Sequence, residues 1–299
     1  MNKSAFCKGG PRVSALAAGC WRMHEWGRDL ADRRNWIDAC LDLGIDCFDH
    51  ADIYGDMRCE TLFGDVLRES TARRARMTLV SKCGIRLPGT TPDAAIPALD
   101  HKVYDTSPEH ILRSVDRSLA NLGTDHLDVL LLHRPDPLMD PDAVAEAFVR
   151  LHAQGKVLHF GLSNHSASTV DLLAQRLPMP LVTHQIELSA WQHAPLRDAV
   201  IDQCLALRMR PMAWSPLGSG RVNEPSPVRD ALARVGAELG CSIETTAVAW
   251  LLRHPCRPIP IVGTGRPDRL RQLALAADLR LEAAQWFRIY EAGLPGGLP

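Results

Sequence analysis

Asp49, Tyr54, Lys82 and His133 stand where apolar runs give way to polar residues. The runs are Cys47-Phe48-Asp49-His50-Ala51-Asp52-Ile53-Tyr54-Gly55, Leu79-Val80-Ser81-Lys82-Cys83-Gly84 and Leu130-Leu131-Leu132-His133-Arg134-Pro135-Asp136. Short apolar runs ending this way read as β-strands passing into loops, so three strand ends carry four matched side chains. An isolated phenol holds its proton with a pKa of about 10, too tightly for a good general acid at neutral pH. An ammonium beside it favours the phenolate and is predicted to lower that value, while a carboxylate paired with the ammonium keeps it charged and in place. A histidine on a facing strand can orient a carbonyl oxygen next to the phenol. That is the equipment for reducing a carbonyl, and since no side chain supplies hydride, it implies a nicotinamide cofactor.

The elements that must position these groups follow from periodicity. Strand-like runs cover Ser14 to Gly19, Cys47 to Asp49, Met77 to Lys82, Leu127 to His133, His159 to Leu162, Val182 to Ile186, Arg210 to Trp214 and Pro258 to Val262. Amphipathic stretches lie between them, among them Asp29 to Leu43, Ser107 to Leu122, Asp140 to Gln154, Ser166 to Arg176, Pro195 to Leu207 and Ser226 to Gly240. Ser107-Pro108-Glu109-His110 supplies a cap residue followed by proline at the first helical position. Alternation with near-continuous apolar strands implies a parallel sheet covered by helices. Eight units in 299 residues favour a closed (β/α)8 TIM barrel over an open doubly wound sheet. The open alternative wants G-x-G-x-x-G, and both Gly218-Ser219-Gly220 and Gly263-Thr264-Gly265 lack the third glycine. A single barrel domain over residues 1–299 is expected.

Composition narrows the partners. A formal net charge of -1 and a pI near 6.9 give no reason to expect nucleic acid. The 9 cysteines include no C-x-x-C pair, which argues against a disulfide framework or a zinc site and for a reducing cytoplasm. Cys83 adjoins Lys82, where a cation could stabilise its thiolate, but a small packing residue at a strand end is the preferred reading. Lys3, Lys8 and Arg12 ahead of Val13 to Cys20 imitate a lipoprotein leader, yet Gly9, Gly10 and Pro11 interrupt it. No run reaches the ~18 apolar residues of a membrane span. A monomer is the default, because no hydrophobic dimer helix stands out.

With these motifs in hand, the chain resembles the aldo-keto reductases, specifically their bacterial NADP(H)-dependent branch. Phe48 to Gly55, Ser81-Lys82, Leu132-His133-Arg134, Gly161-Leu162-Ser163-Asn164, Trp214-Ser215-Pro216-Leu217 and Gly263-Thr264 occur in that family's order from about Ala18 to Tyr290. The resemblance implies a barrel that binds NADPH/NADP+ and transfers hydride to aldehydes or ketones, with Tyr54 as proton donor assisted by Lys82, Asp49 and His133. It implies that Ser163, Asn164 and Gln185 hold the nicotinamide carboxamide and that Trp214 stacks on the ring. In TIM barrels phosphate is commonly bound after strands 7 and 8. Here Ser215, Pro216, Leu217, Gly218 and Arg221 follow strand 7, and Gly263, Thr264, Gly265, Arg266 and Arg269 follow strand 8 and open a helix. Thr264, Arg266 and Arg269 resemble an adenosine 2'-phosphate site, which favours NADPH over NADH. A lysine frequent in relatives is Gly263 here and a familiar asparagine is Leu273, with Gln272 as a substitute for a nearby glutamate.

Each assignment has a plainer counterpart. Asn164 alone reads as a helix cap before Ser166, Trp214 as barrel packing, and the arginines as a solvated helix start. Lys82 could serve a Schiff-base aldolase, and some relatives are NADPH-binding regulatory subunits with slow turnover. The substrate pocket is expected from the segment 84–106, the segment after Trp21 and Arg134 to Met139, with Trp21 and Trp26 as candidate apolar walls, Trp21 the better one, and with Tyr54 and His133 contacting substrate. Only Glu291 to Pro299 follow Tyr290, so an open pocket with broad activity toward small carbonyl compounds is expected.

Overall fold

A computed structural model describes residues 1–90 and 99–298 of the chain. Eight strands close a parallel barrel: β1 Ala17–Gly19, β2 Cys47–Asp49, β3 Thr78–Cys83, β4 Leu127–Leu132, β5 Val157–Ser163, β6 Leu181–Glu187, β7 Met212–Trp214 and β8 Ile259–Val262. They neighbour one another in chain order, and β8 pairs with β1 through Ile261 opposite Ala17. Every residue of β3 and of β8 is buried; β8 accordingly reads as a continuous apolar run, whereas β3 carries the buried polar residues Thr78, Ser81 and Lys82. All eight predicted strands are therefore present. Among the described residues the longer helices are α1 Leu30–Asp42, α2 Cys59–Leu67, α3 Pro108–Leu122, α4 Pro141–Ala153, α5 Ala167–Ala174, α6 Val200–Ala206, α7 Pro227–Leu239, α8 Ile243–Leu252, α9 Pro267–Ala274 and α10 Ala283–Ala292, with single helical turns at Tyr54–Met57 and Thr71–Arg74. The caps work as their residue types dictate. Ser107 accepts from His110 N, Asp140 from Asp142 N and Ala143 N, Ser166 from Thr169 N, and Ser226 from Arg229 N.

Two expectations change. The helix expected over Pro195 to Leu207 divides into a 3-10 turn at Ala194–Leu196 and α6, because Ala199 takes a left-handed φ of 69° and Asp198 Oδ1 receives Val200 N instead. Two short antiparallel pairings outside the barrel were not anticipated: Ser4–Ala5 with Arg12–Val13, and Ile85–Arg86 with Val103–Tyr104. The second belongs to the expected pocket segment 84–106, of which residues 91–98 lie outside the described residues. Among the described residues no helix is long and apolar enough to cross a membrane.

The chain forms two compact units, one of Met1–Gly19, Trp36–Cys47 and Thr183–Pro299, the other of Cys20–Asn35 and Phe48–Val182. In the first, α8 and α10 are joined by a tryptophan pair stacked at 5.0 Å, each indole N–H donating to the other residue's carbonyl at 3.1 Å (Trp250 and Trp286). Both polar ends of two large apolar groups are thereby satisfied.

In the second unit Phe48, Phe63, Val80, Ile111, Val129 and Phe148 are fully buried, and α2 packs closely on α3. Gly64 makes the approach possible, since a Cβ at that position would lie 2.0 Å from Asn121 O and 2.8 Å from Leu122 Cα. Backbone cannot yield as a side-chain tip can, so Gly64→Ala is expected to cost about 3 kcal/mol. Urea denaturation would register this as a lowered midpoint, and an unchanged midpoint would refute the packing.

Candidate active site

The second unit brings the four expected residues into one cluster. Lys82 is 1% exposed, and its ammonium donates to Asp49 Oδ1 and Oδ2 at 2.9 Å each, to His50 O at 2.7 Å and to the Tyr54 hydroxyl at 2.9 Å. The same nitrogen lies 4.7 Å from the centre of the Tyr54 ring, and the His133 ring meets Tyr54 edge-on at 5.8 Å. Backbone pairing sets these positions. His50 N donates to Val80 O, Asp52 N to Lys82 O, Cys20 N to Asp49 O, and His133 N to Cys83 O. Immediately after Tyr54 the chain turns through Gly55, Asp56 and Met57, all at positive φ. Left-handed Asp and Met are strained conformations of the kind that cluster at functional sites.

The electrostatics depart from the sequence expectation in one respect. Burial pushes the Tyr54 pKa up to about 12; Lys82 lowers it as anticipated but does not overcome the loss of hydration, and Asp49 adds to the rise. The phenol is thus fully protonated at neutral pH. Its oxygen accepts from Lys82, which leaves its own proton available to another acceptor. Burial opposes the Lys82 charge, yet Asp49 and Tyr54 outweigh it and hold the ammonium above the ordinary lysine range. His133 is driven well below the ordinary histidine range by burial and by Lys82, Arg134 and Lys102, so it is a neutral imidazole. Its Nδ1 is buried without a hydrogen-bond partner among the described residues. The Cys83 thiol is buried and pushed well above its usual range, in keeping with the packing role preferred from the sequence.

Sequence reasoning missed a second layer of buried charge. Asp52, from the Asp49 to Tyr54 run, pairs with Arg117 at 2.9 Å, and Ser81, the neighbour of Lys82, donates to Glu60 at 2.6 Å. Both carboxylates are essentially unexposed. Their partners lie far away in sequence, so no local motif announced them. His50, also fully buried, is pulled down to about 3 by burial and Lys82.

The remaining expected cofactor residues lie on strands β5 to β7, in the loops that follow β5, β7 and β8, and on α9. Ser163 is buried and accepts from Asn164 Nδ2 at 2.8 Å; Asn164 has a φ of 61° and is not a helix cap, a role taken by Ser166. In the first unit, Gln185 is buried with its amide 3.7 Å from Met212 Sδ, and Trp214 is half-buried at the end of β7. After β7, Gly218 N donates to Ser215 O and Arg221 Nε to Gly218 O. After β8, Trp36 Nε1 donates to Thr264 O, Arg266 N donates to Thr264 Oγ1, and the Arg266 guanidinium forms an exposed fork with Asp268. Arg269 and Gln272 are exposed at α9. Trp21 is 58% exposed.

A closed (β/α)8 barrel whose strand ends carry a phenol, an ammonium, a carboxylate and an imidazole has the build of a carbonyl-reducing oxidoreductase. The aldo/keto reductase family model matches residues 15–293. The chain is 45% identical over 294 residues to oxidoreductase YdhF of Escherichia coli, covering 97% of each chain, and 37% identical over 281 residues to 6-dehydroglucose reductase of Agrobacterium fabrum, covering 93% of each. Its fold matches that of a thermostable aldo-keto reductase solved with the inhibitor epalrestat, with a TM-score of 0.83 over 98% of this chain and 100% of that one at 23% identity. The chain belongs to the aldo/keto reductase family, and its general chemistry is carbonyl reduction.

The buried charge layer has a measurable signature. Burial pushes the Asp52 carboxyl up to about 7, with Arg117 pulling it back. The folded protein therefore holds a proton between pH 4 and 7 that the unfolded chain releases at about pH 4, so folding stability from this group falls as pH rises through that window. Asp52→Asn is expected to remove as much as about 4 kcal/mol of that decline. Urea unfolding at pH 5 and pH 8 checks it; equal slopes in the two proteins would contradict the assignment.

Proposed function

We propose that the protein reduces aldehydes or ketones to alcohols with NADPH. The observation that carries this reading is the Lys82 ammonium bonded at once to Asp49 and to the Tyr54 hydroxyl, with the His133 ring against the phenol. Tyr54 donates its proton to the carbonyl oxygen. Lys82, held charged by Asp49, stabilises the phenolate left behind. The neutral imidazole of His133 donates an N–H to the same oxygen and fixes its approach. When bound, the reduced nicotinamide supplies the hydride.

The residues fit such a cofactor. Amide-bearing Asn164 and Gln185 with Ser163 suit a carboxamide, and the half-buried Trp214 suits a flat ring. The loop 215–221 presents backbone amides with Arg221 beside them, while Arg266 and Arg269 at the start of α9 suit a 2'-phosphate dianion. Arg266 would exchange Asp268 for the phosphate. Trp21 serves as a pocket wall. Substrates are small carbonyl compounds, and the name of the Agrobacterium relative places sugar-derived aldehydes among the first to try.

Two alternatives are less well supported. A Schiff-base aldolase needs a neutral lysine amine, whereas Lys82 is held protonated by acceptors on every side. A purely regulatory NADPH-binding subunit has no use for an intact proton donor. Stopped-flow oxidation of bound NADPH by a reactive aldehyde separates it from an enzyme, because a sensor would turn over slowly or not at all.

Tyr54→Phe is expected to lower kcat by about 10³-fold, within the range for general acids, while leaving NADPH affinity within twofold of wild type. Loss of binding as well as rate would overturn the role. Replacing Arg266 and Arg269 together with alanine should weaken NADPH by roughly tenfold or more and leave NADH unchanged. Fluorescence titration with both nucleotides gives the comparison, and equal losses would exclude a 2'-phosphate site there.

A further inference from the structure

Trp191, in the segment between β6 and α6, has no part in the scheme above. Its surroundings give it one. A Cβ built on Gly218 would lie 2.8 Å from Cε3 and 2.9 Å from Cδ2 of this tryptophan, so the indole lies directly against the backbone of the loop that follows β7. That loop is strained. Ser215, Gly218, Ser219 and Gly220 take φ values of 51°, 66°, 55° and 100°. Leu217 at φ -101° and ψ 21° followed by the left-handed Gly218 is a pairing that turns successive amide N–H groups toward one side.

Strained backbone persists only where its surroundings over-determine it. From within the loop, Gly218 N donates to Ser215 O at 2.8 Å, Ser219 Oγ to Ser215 Oγ at 2.8 Å and Arg221 Nε to Gly218 O at 3.0 Å. From outside it, Trp191 lies against Gly218, and that ring is itself anchored. Trp191 N donates to Ser189 Oγ at 3.2 Å, and the indole Nε1 donates to Ser226 Oγ at 3.4 Å. Ser226 is the cap of α7, so the ring bridges the start of a regular helix to the loop.

We propose that Trp191 is a positioning residue for phosphate recognition: its indole face holds the backbone of residues 215–221 in the conformation that presents Arg221 and the loop amides other than Gly218 N, which is held by Ser215 O, to the cofactor pyrophosphate. This rests on the reading of that loop as the pyrophosphate site. Glycine at 218 is required twice over, by its positive φ and by the ring beneath it.

Two probes separate this role from general packing. NADP+ carries the pyrophosphate, whereas adenosine 2'-monophosphate carries only the 2'-phosphate and should engage α9 without the loop. Isothermal titration of Trp191→Ala is expected to give an NADP+ Kd at least tenfold above wild type and an adenosine 2'-monophosphate Kd within twofold. Trp191→Phe should restore most of the loss. Gly218→Ala should also weaken NADP+, and the Trp191→Ala, Gly218→Ala double variant should lose less than the sum, because each change removes the other's partner. Gly218→Ala and Trp191→Phe keep the test decisive should Trp191→Ala fail to fold. NADP+ affinity within twofold of wild type in Trp191→Ala, or parallel loss of both probes, would overturn the proposal. Wild-type protein that binds adenosine 2'-monophosphate but not NADP+ would sink the reading of the loop itself.

Discussion

A buried ammonium is the constraint on which the rest of this site depends. Taking Lys82 out of water is unfavourable by several kcal/mol unless its charge is met by acceptors, and here Asp49, the His50 carbonyl and the Tyr54 hydroxyl meet it. Each acceptor lies on β2 or in the loop that leaves it, while the lysine lies on β3. Strand pairing must therefore hold register to within a fraction of an ångström, and the ladder from His50 to Val80 and from Asp52 to Lys82 does so on both sides of the ion pair. A slip of one residue would turn the lysine to the opposite face of the sheet. The barrel is in this sense the instrument that makes a buried Lys–Asp pair tolerable.

Beneath this pair lies a second set of charges with the opposite imbalance. Asp52 and Glu60 supply two buried carboxyls, and Arg117 is the cation common to the influences on both. Burial raises both, and at about 7 the Asp52 carboxyl is partly protonated near neutrality, with Arg117 and the Ser114 hydroxyl favouring its ionised form.

How much of this was legible depends on the range of the signal. Strand existence was written in runs such as Ile259 to Val262 and Leu130 to Leu132, because buried parallel strands favour unbroken apolar stretches. Asp49, Lys82 and His133 were legible because each sits at or beside the end of a strand, and Tyr54 because it follows in the loop that leaves β2. The two-residue pairings at Ser4–Ala5 and Ile85–Arg86 were too short to show any alternation. Asp52 with Arg117, and Glu60 with Ser81, were invisible because nothing local distinguishes a carboxylate that will be buried from one that will be solvated. Trp191 escaped for a related reason: its contact is with the backbone of a glycine, and backbone leaves no trace in residue type except the absence of a side chain.

The departure at Tyr54 bears on the proposal that this phenol donates a proton. From residue types alone, an ammonium beside a phenol should lower its pKa; in the folded protein desolvation exceeds that effect and the value rises to about 12. This does not disable the acid. A resting phenol that never ionises near neutrality always carries its proton, and the Lys82 charge 2.9 Å away gains most when the proton has begun to leave and negative charge accumulates on the phenolic oxygen. Interactions that strengthen between ground state and transition state are the ones that accelerate a reaction. In a low-dielectric site that strengthening is large and needs no reorganisation of solvent. The arrangement thus suits a group that gives up a proton under demand from a nascent alkoxide, and suits poorly one that must wait as a base at pH 7.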